Sequence, residues 1–311
     1  MRIRGKLLAV AVPVSAALLA SACSSAVATS TSSGSSSKIV AIGAENEYAS
    51  VIQQVGGKYA QVSAIMSNPA TDPHTYEASS SIAQEISAAQ LVVQNGVGYD
   101  TFMTTIENAA ANPGRKVITV QKLLGLPDST PNPHLWYKPS TMPAVANAIA
   151  SDLASIQPAH AAYFRANART FISSLAPWNQ AIATFKAKYG GSPVATTEPV
   201  ADYMLEAAGA SNMTPFTFQA NIMNGVDPSA QNVALEKSLF TQHKVKAFLY
   251  NQQVTSSLTK SFITLAHQNG IPVVGVYETM PTPGFNYQSW MLTEVQDLQK
   301  AVVSKISTEH L

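Results

Sequence analysis

In residues 38–43, Lys38-Ile39-Val40-Ala41-Ile42-Gly43, a lysine opens a short apolar run, followed by helical spacing over 48–55 and then by Gly56-Gly57. An apolar run of that length reads as a buried parallel strand, and the glycine pair as the stop of the helix after it. The same alternation continues outward. It gives a strand over 61–65, a helix over about 79–89, a strand at Leu91-Val92-Val93-Gln94, the turn Asn95-Gly96-Val97-Gly98-Tyr99-Asp100 opening another helix, and a strand over 116–120. Strand and helix in strict alternation predict an α/β lobe, a parallel sheet flanked by helices on both faces.

Residues 141–188 are rich in alanine with apolar positions at helical spacing. Pro158 starts a new helix there, because proline is tolerated in a first turn but not in a helix interior. A continuous helix over 159–188 would be ~45 Å long, with Pro177 as a kink, enough to join two lobes rigidly. After Gly190-Gly191 the alternation resumes, with strands over 193–197, near 212–218, over 245–250 and over 272–276, and with helices over 201–208 and 258–269. The expected organisation is a first lobe over 38–157, a linking helix over 158–190 and a second lobe over 191–311. The halves share an architecture without a sequence repeat.

At 311 residues, with 46% hydrophobic and 12% charged side chains, the chain has enough apolar content for two cores. Residues 1–22 carry Arg2, Arg4 and Lys6, an apolar run over 7–19, and then Ala20-Ser21-Ala22 before Cys23. This is the pattern of a cleaved export signal, its apolar run too short for a hydrocarbon layer of ~30 Å. Cys23 is the single cysteine, so neither an intramolecular disulfide nor a cysteine-rich metal site can form. The run Leu18-Leu19-Ala20-Ser21-Ala22-Cys23 resembles a bacterial lipobox, in which the cysteine is acylated. Residues 23–37 then read as a flexible Ser/Thr/Ala/Gly tether spanning roughly 20 Å. Removing residues 1–22 takes away three of the 19 basic residues and none of the 18 acids, leaving a net charge of −2. No nucleic-acid partner is indicated.

Two loops carry the chemistry. Asp72-Pro73-His74-Thr75-Tyr76-Glu77 and Asn132-Pro133-His134-Leu135-Trp136-Tyr137 each set a histidine behind a proline, where a strand leads toward a helix. Proline stiffens its own position and the one before it, which suits a metal ligand. In an open α/β sheet such strand ends are where ligands bind. In the second lobe Glu198 follows the strand over 193–197 and Glu278 lies two residues beyond Val276. Either acid alone would ordinarily be a surface or helix-capping group. Two imidazoles from one lobe and two carboxylates from the other suit Zn²⁺, Mn²⁺ or Fe²⁺. Glu45 and Glu47 are reserve candidates. His160, His243, His267 and His310 read as surface residues, Trp136 and Tyr137 as packing of the histidine loop, and Asn95-Gly96-Val97-Gly98 as a tight turn, since it lacks the third glycine of a dinucleotide fingerprint.

These two histidine motifs, the turn over 95–100 and the Pro158 helix with Tyr163 and Asn167 together resemble the metal-receptor family of ABC-transporter solute-binding lipoproteins, the manganese/zinc type (cluster A-I). The resemblance implies two α/β lobes bridged by a long rigid helix, one metal held between them, and ligands at His74, His134, Glu198 and Glu278. In that family the fourth ligand is usually an aspartate, which the longer Glu278 replaces. It further implies a monomer anchored outside the cell membrane through lipid on Cys23, which captures Zn²⁺ or Mn²⁺ as cargo for a membrane permease and has no catalytic residues. Two readings compete: a related receptor for a haem or siderophore chelate, and a secreted metal-dependent hydrolase. The latter has neither a His-Glu-x-x-His helix nor a Gly-x-Ser-x-Gly elbow in its favour. Imidazole ligands must be deprotonated, so capture should weaken below pH ~6.5.

Overall fold

The opening apolar run folds as β1 (Ile39–Glu45), two residues longer at its C-terminal end than the pattern indicates, and passes directly into α1 (Asn46–Gly56). Gly43 permits that tight passage, since a Cβ there would press into the Ala49 backbone. β2 (Ala60–Met66), α2 (Ser80–Ala88), β3 (Leu91–Gln94), α3 (Thr101–Ala109) and β4 (Lys116–Thr119) complete a four-stranded parallel sheet of order β2-β1-β3-β4. The computed structural model describes residues 9–11, 37–68, 76 and 80–311. His74 with its neighbours Asp72, Pro73, Thr75 and Glu77 lies outside the described residues, as does Cys23.

After the short α4 (Val120–Leu123) and a 3-10 turn at Leu135–Tyr137 comes α5 (Thr141–Ile156). Pro158 opens a new 3-10 turn, as expected, leading into α6 (Ala161–Ser174). The single helix expected over 159–188 is divided: α6 ends at Ser174 and α7 runs Ala176–Tyr189. The reason is Pro177, which has no N–H for an interior position and instead occupies the first turn of α7.

The second lobe repeats the first. β5 (Pro193–Thr196), α8 (Asp202–Ala207), β6 (Ser211–Asn212), α9 (Phe216–Met223), α10 (Ala230–Thr241), β7 (Ala247–Asn251), α11 (Ser257–Gln268) and β8 (Val273–Val276) form a parallel sheet of order β6-β5-β7-β8, and α12 (Tyr287–Ser304) follows. The strand expected near 212–218 is cut to the two residues of β6. β6 stops at Asn212, because Pro215 cannot donate to a ladder, and the apolar residues after it form α9.

The largest apolar core belongs to both lobes: Ile39 and Val93 of one sheet and Val194, Leu249 and Val276 of the other join it through Trp136, Trp178, Tyr287 and Trp290. Trp178 meets Tyr287 edge-on at 5.9 Å. Each sheet also has a separate outer cluster, Ile42, Ile86, Val92 and Met103 in the first and Phe218, Phe240, Phe248 and Phe262 in the second. Trp136 and Tyr137 are fully buried, the packing role read from the sequence. Residues 37–311 constitute one unit containing both lobes. Among the described residues no helix is long and apolar enough to cross a membrane.

Candidate metal centre

In a sheet of order 2-1-3-4 the connections leave in opposite directions on either side of the first and third strands, and the crevice beyond their C-terminal ends receives ligands. Both lobes place their polar side chains there. Glu198 follows β5, Asn251 ends β7, and Glu278 lies two residues after β8; across from them, Asn95 follows β3 and His134 stands on the loop before the 3-10 turn. All five are buried.

His134 is oriented on every side. Its ring lies edge-on between Tyr99 and Trp136, with centroids 5.8 and 5.4 Å away. Its Nδ1 meets Asn132 Oδ1 at 2.8 Å, and the same oxygen accepts the His134 backbone N–H at 3.0 Å. Asn132 Nδ2 in turn donates to the Pro199 carbonyl at 2.7 Å, which fixes the amide orientation. Asn132 Oδ1 is therefore an acceptor, His134 carries its proton on Nδ1 when neutral, and Nε2 presents a lone pair. Asn95 stiffens the loop from below by donating to the Pro133 carbonyl at 2.8 Å.

That lone pair faces a carboxylate. His134 Nε2 lies 3.3 Å from Glu278 Oε2, and both side chains are fully buried. Tyr99 donates its hydroxyl to the same Oε2 at 2.9 Å, while Asn251 Nδ2 donates to Glu278 Oε1 at 2.6 Å and to Glu198 Oε1 at 3.1 Å. Gln253 Oε1 accepts the backbone N–H groups of Glu278 and Thr279, fixing the loop. A neutral imidazole nitrogen and a carboxylate oxygen are both acceptors, so this contact needs a proton or a cation between them. With bonds of about 2.1 Å to each, a separation of 3.3 Å subtends roughly 100° at an ion, near the tetrahedral angle.

The structure thus brings together three of the four residues singled out in the sequence: His134 and Glu278 directly, and Glu198 through Asn251. Among the described residues no three His, Cys, Asp or Glu side chains already form a metal cage. Neither Glu198 nor Glu278 is a surface acid. Glu45 and Glu47 are also buried, and desolvation pushes both carboxyls well above the ordinary range. The aligning residues Asn132, Tyr99, Asn251 and Gln253 escape a reading of the sequence for function. The first two lie inside motifs already quoted, and Asn251 has only its place at the end of a buried strand as a signal.

Comparison with known proteins gives the family and the fold. Residues 44–301 match ZnuA, the family described as zinc-uptake complex component A, periplasmic. A 136-residue stretch is 25% identical to the manganese-binding lipoprotein MntA of Bacillus subtilis (strain 168), covering 42% of this chain and 44% of that relative's length. The solute-binding protein FpvC of Pseudomonas aeruginosa, solved in complex with Mn²⁺, shares the fold at a TM-score of 0.70 and 21% identity, over 86% of this chain and 99% of that one. A crystal structure of ZnuA gives 0.69 at 19% identity, over 85% and 99%.

Proposed function

We propose, from the premise that the chain belongs to the family of the periplasmic zinc-uptake component A, that it is an extracytoplasmic receptor which captures one divalent transition-metal ion between its lobes and delivers it to an ABC importer. The observation that supports this best is the contact of His134 Nε2 with Glu278 Oε2, two buried acceptors 3.3 Å apart. His134, Glu198 and Glu278 would be ligands, with His74 as the fourth. A mixed imidazole and carboxylate set accepts Zn²⁺ or Mn²⁺ without soft sulfur ligands. The small separation of the paired groups favours a bare ion over a haem or siderophore chelate. Four protein ligands would leave no open position for a metal-bound water, so the reading is of a carrier and not of a hydrolase.

The remaining parts of the proposal rest on the sequence. Residues 1–22 serve as the export signal, Cys23 takes the lipid, and residues 23–37 tether a monomeric receptor to the membrane beside its permease. The lobes divide at 38–157 and 191–311, with residues 158–190 between them. The test is the metal content of untagged protein recovered from the membrane fraction of its own host, grown with manganese and zinc both present. At least one first-row divalent metal per chain is expected, and a chain recovered free of such metals would overturn the proposal. Because such sites hold Zn²⁺ more tightly than Mn²⁺ intrinsically, manganese found there would identify a manganese importer.

A further inference from the structure

Two carboxylates beside this centre have no part in the proposed cargo site. Glu45 ends β1 and Glu47 lies in the first turn of α1; both are fully buried, and among the described residues none of their four carboxylate oxygens has a hydrogen-bond partner. Glu45 holds the N-cap position of α1 yet makes no capping hydrogen bond, so helix capping does not explain it. The neighbouring acids are treated differently. Asp100 accepts the Asn95 and Gly96 backbone amides, and Glu278 accepts from Asn251 and Tyr99.

The backbone brings the pair to the centre. Asn46, between them, clasps Met280: its Nδ2 donates to the Met280 carbonyl at 2.8 Å and its Oδ1 accepts the Met280 N–H at 3.0 Å. The first turn of α1 is thereby docked on the loop that carries Glu278. Burial first, and then the charges of Glu278 and Asp100, raise the Glu47 carboxyl; burial first, and then Asp100 and Glu47, raise that of Glu45. The backbone amides of Glu45, Glu47 and Met280 lie near these carboxyls and favour their charged forms without reaching hydrogen-bond geometry, and the Met280 amide is committed to Asn46. Burying a carboxylate with no well-aligned donor costs several kcal/mol, a cost that a proton or a cation removes.

We infer that Glu45 and Glu47 form a second cation subsite beside the centre of His134 and Glu278, built from oxygen ligands alone and suited to a hard divalent ion of the Mn²⁺, Mg²⁺ or Ca²⁺ class. Paired carboxylates without nitrogen or sulfur are the donors such ions prefer. The subsite goes beyond the single cargo ion proposed above, and its failure is distinguishable from failure of that reading.

The experiment loads the full chain with Mn²⁺, removes free metal, and counts bound manganese by mass spectrometry alongside its paramagnetic resonance spectrum. Wild type is expected to hold two ions per chain, with a spectrum broadened by their mutual coupling. The Glu45→Gln/Glu47→Gln double variant should hold one, with the sharp pattern of an isolated ion. Glutamine keeps the shape and removes the charge, and an unchanged melting temperature confirms the fold. One ion in wild type that survives in the double variant overturns the subsite and leaves the cargo reading intact; the acids are then protonated carboxyls. One ion in wild type and none in the double variant also overturns it, by making these acids ligands of the cargo itself. No manganese in wild type overturns both. The wild-type spectrum alone decides the matter if the variant does not fold.

Discussion

The two lobes share one strand order and differ in how they hold the acids that end or follow their strands beside the centre. In the second, Glu198 and Glu278 share one amide donor, Asn251, and the backbone of Glu278 is held by Gln253. In the first, Glu45 and Glu47 occupy the equivalent end of the sheet with no hydrogen-bond donor on their oxygens among the described residues. A common scaffold therefore fixes where acids collect, while the side chains at the ends of the third strand and beyond decide whether those acids are aimed. The second lobe brings oriented carboxylates and the first an oriented imidazole.

This contrast can be broken experimentally. The largest effect should come from Glu278→Gln, which removes the charge facing His134; affinity for Zn²⁺ or Mn²⁺, measured by competition with a chelating dye, should fall by more than the ~10–100-fold characteristic of an outer-shell change. Asn251→Ala comes next. Both carboxylates lose their common donor, and an affinity loss within ~10–100-fold is expected, with the melting temperature lowered as well; an unchanged affinity would show that Asn251 orients nothing.

A smaller effect should follow from Tyr137→Phe. The Tyr137 hydroxyl donates to the Tyr277 carbonyl at 2.8 Å and lies 3.1 Å from Glu294 Oε1, linking the turn after His134 to the residue before Glu278. Losing it should cost about 1 kcal/mol of stability and speed metal release several-fold in stopped flow. The smallest effect concerns pH. Burial raises the Glu294 carboxyl from its ordinary 4.5 to about 8. The folded state then keeps a proton that the unfolded state has lost, so Glu294 makes stability fall as pH rises between those values. Melting temperatures should decline by a few degrees between pH 5 and pH 8, and Glu294→Gln should flatten that slope.

Much of this architecture is legible in the amino-acid sequence. Short apolar runs and glycine stops locate seven of the eight strands, because buried parallel strands leave a continuous apolar signature. The stretch near 212–218 misleads because its apolar spacing suits a strand or a helix, and Pro215 decides for the helix. At the site, His134 stands out by its proline-histidine motif, and Glu198 and Glu278 by their places after strands. Asn251, Gln253 and Tyr99 do not, since an amide or a phenol becomes an aligning group only through a partner far along the chain, as Tyr99 does with Glu278. Glu45 and Glu47 draw notice for their charge, but their lack of hydrogen-bond partners among the described residues is a property of the fold alone.

The apolar core common to both lobes also bears on how cargo can leave. Swinging the lobes apart would bring Trp136, Tyr287 and Trp290 into water, at about 1.5–3 kcal/mol for each large side chain. That total is comparable to the ~5.5 kcal/mol by which a ligand must favour one state to invert a 99:1 population. A single ion has little left over for such work, so loaded and empty receptors should differ by local rearrangement of the ligand loops more than by lobe angle. Small-angle scattering profiles recorded with and without metal should then nearly superimpose.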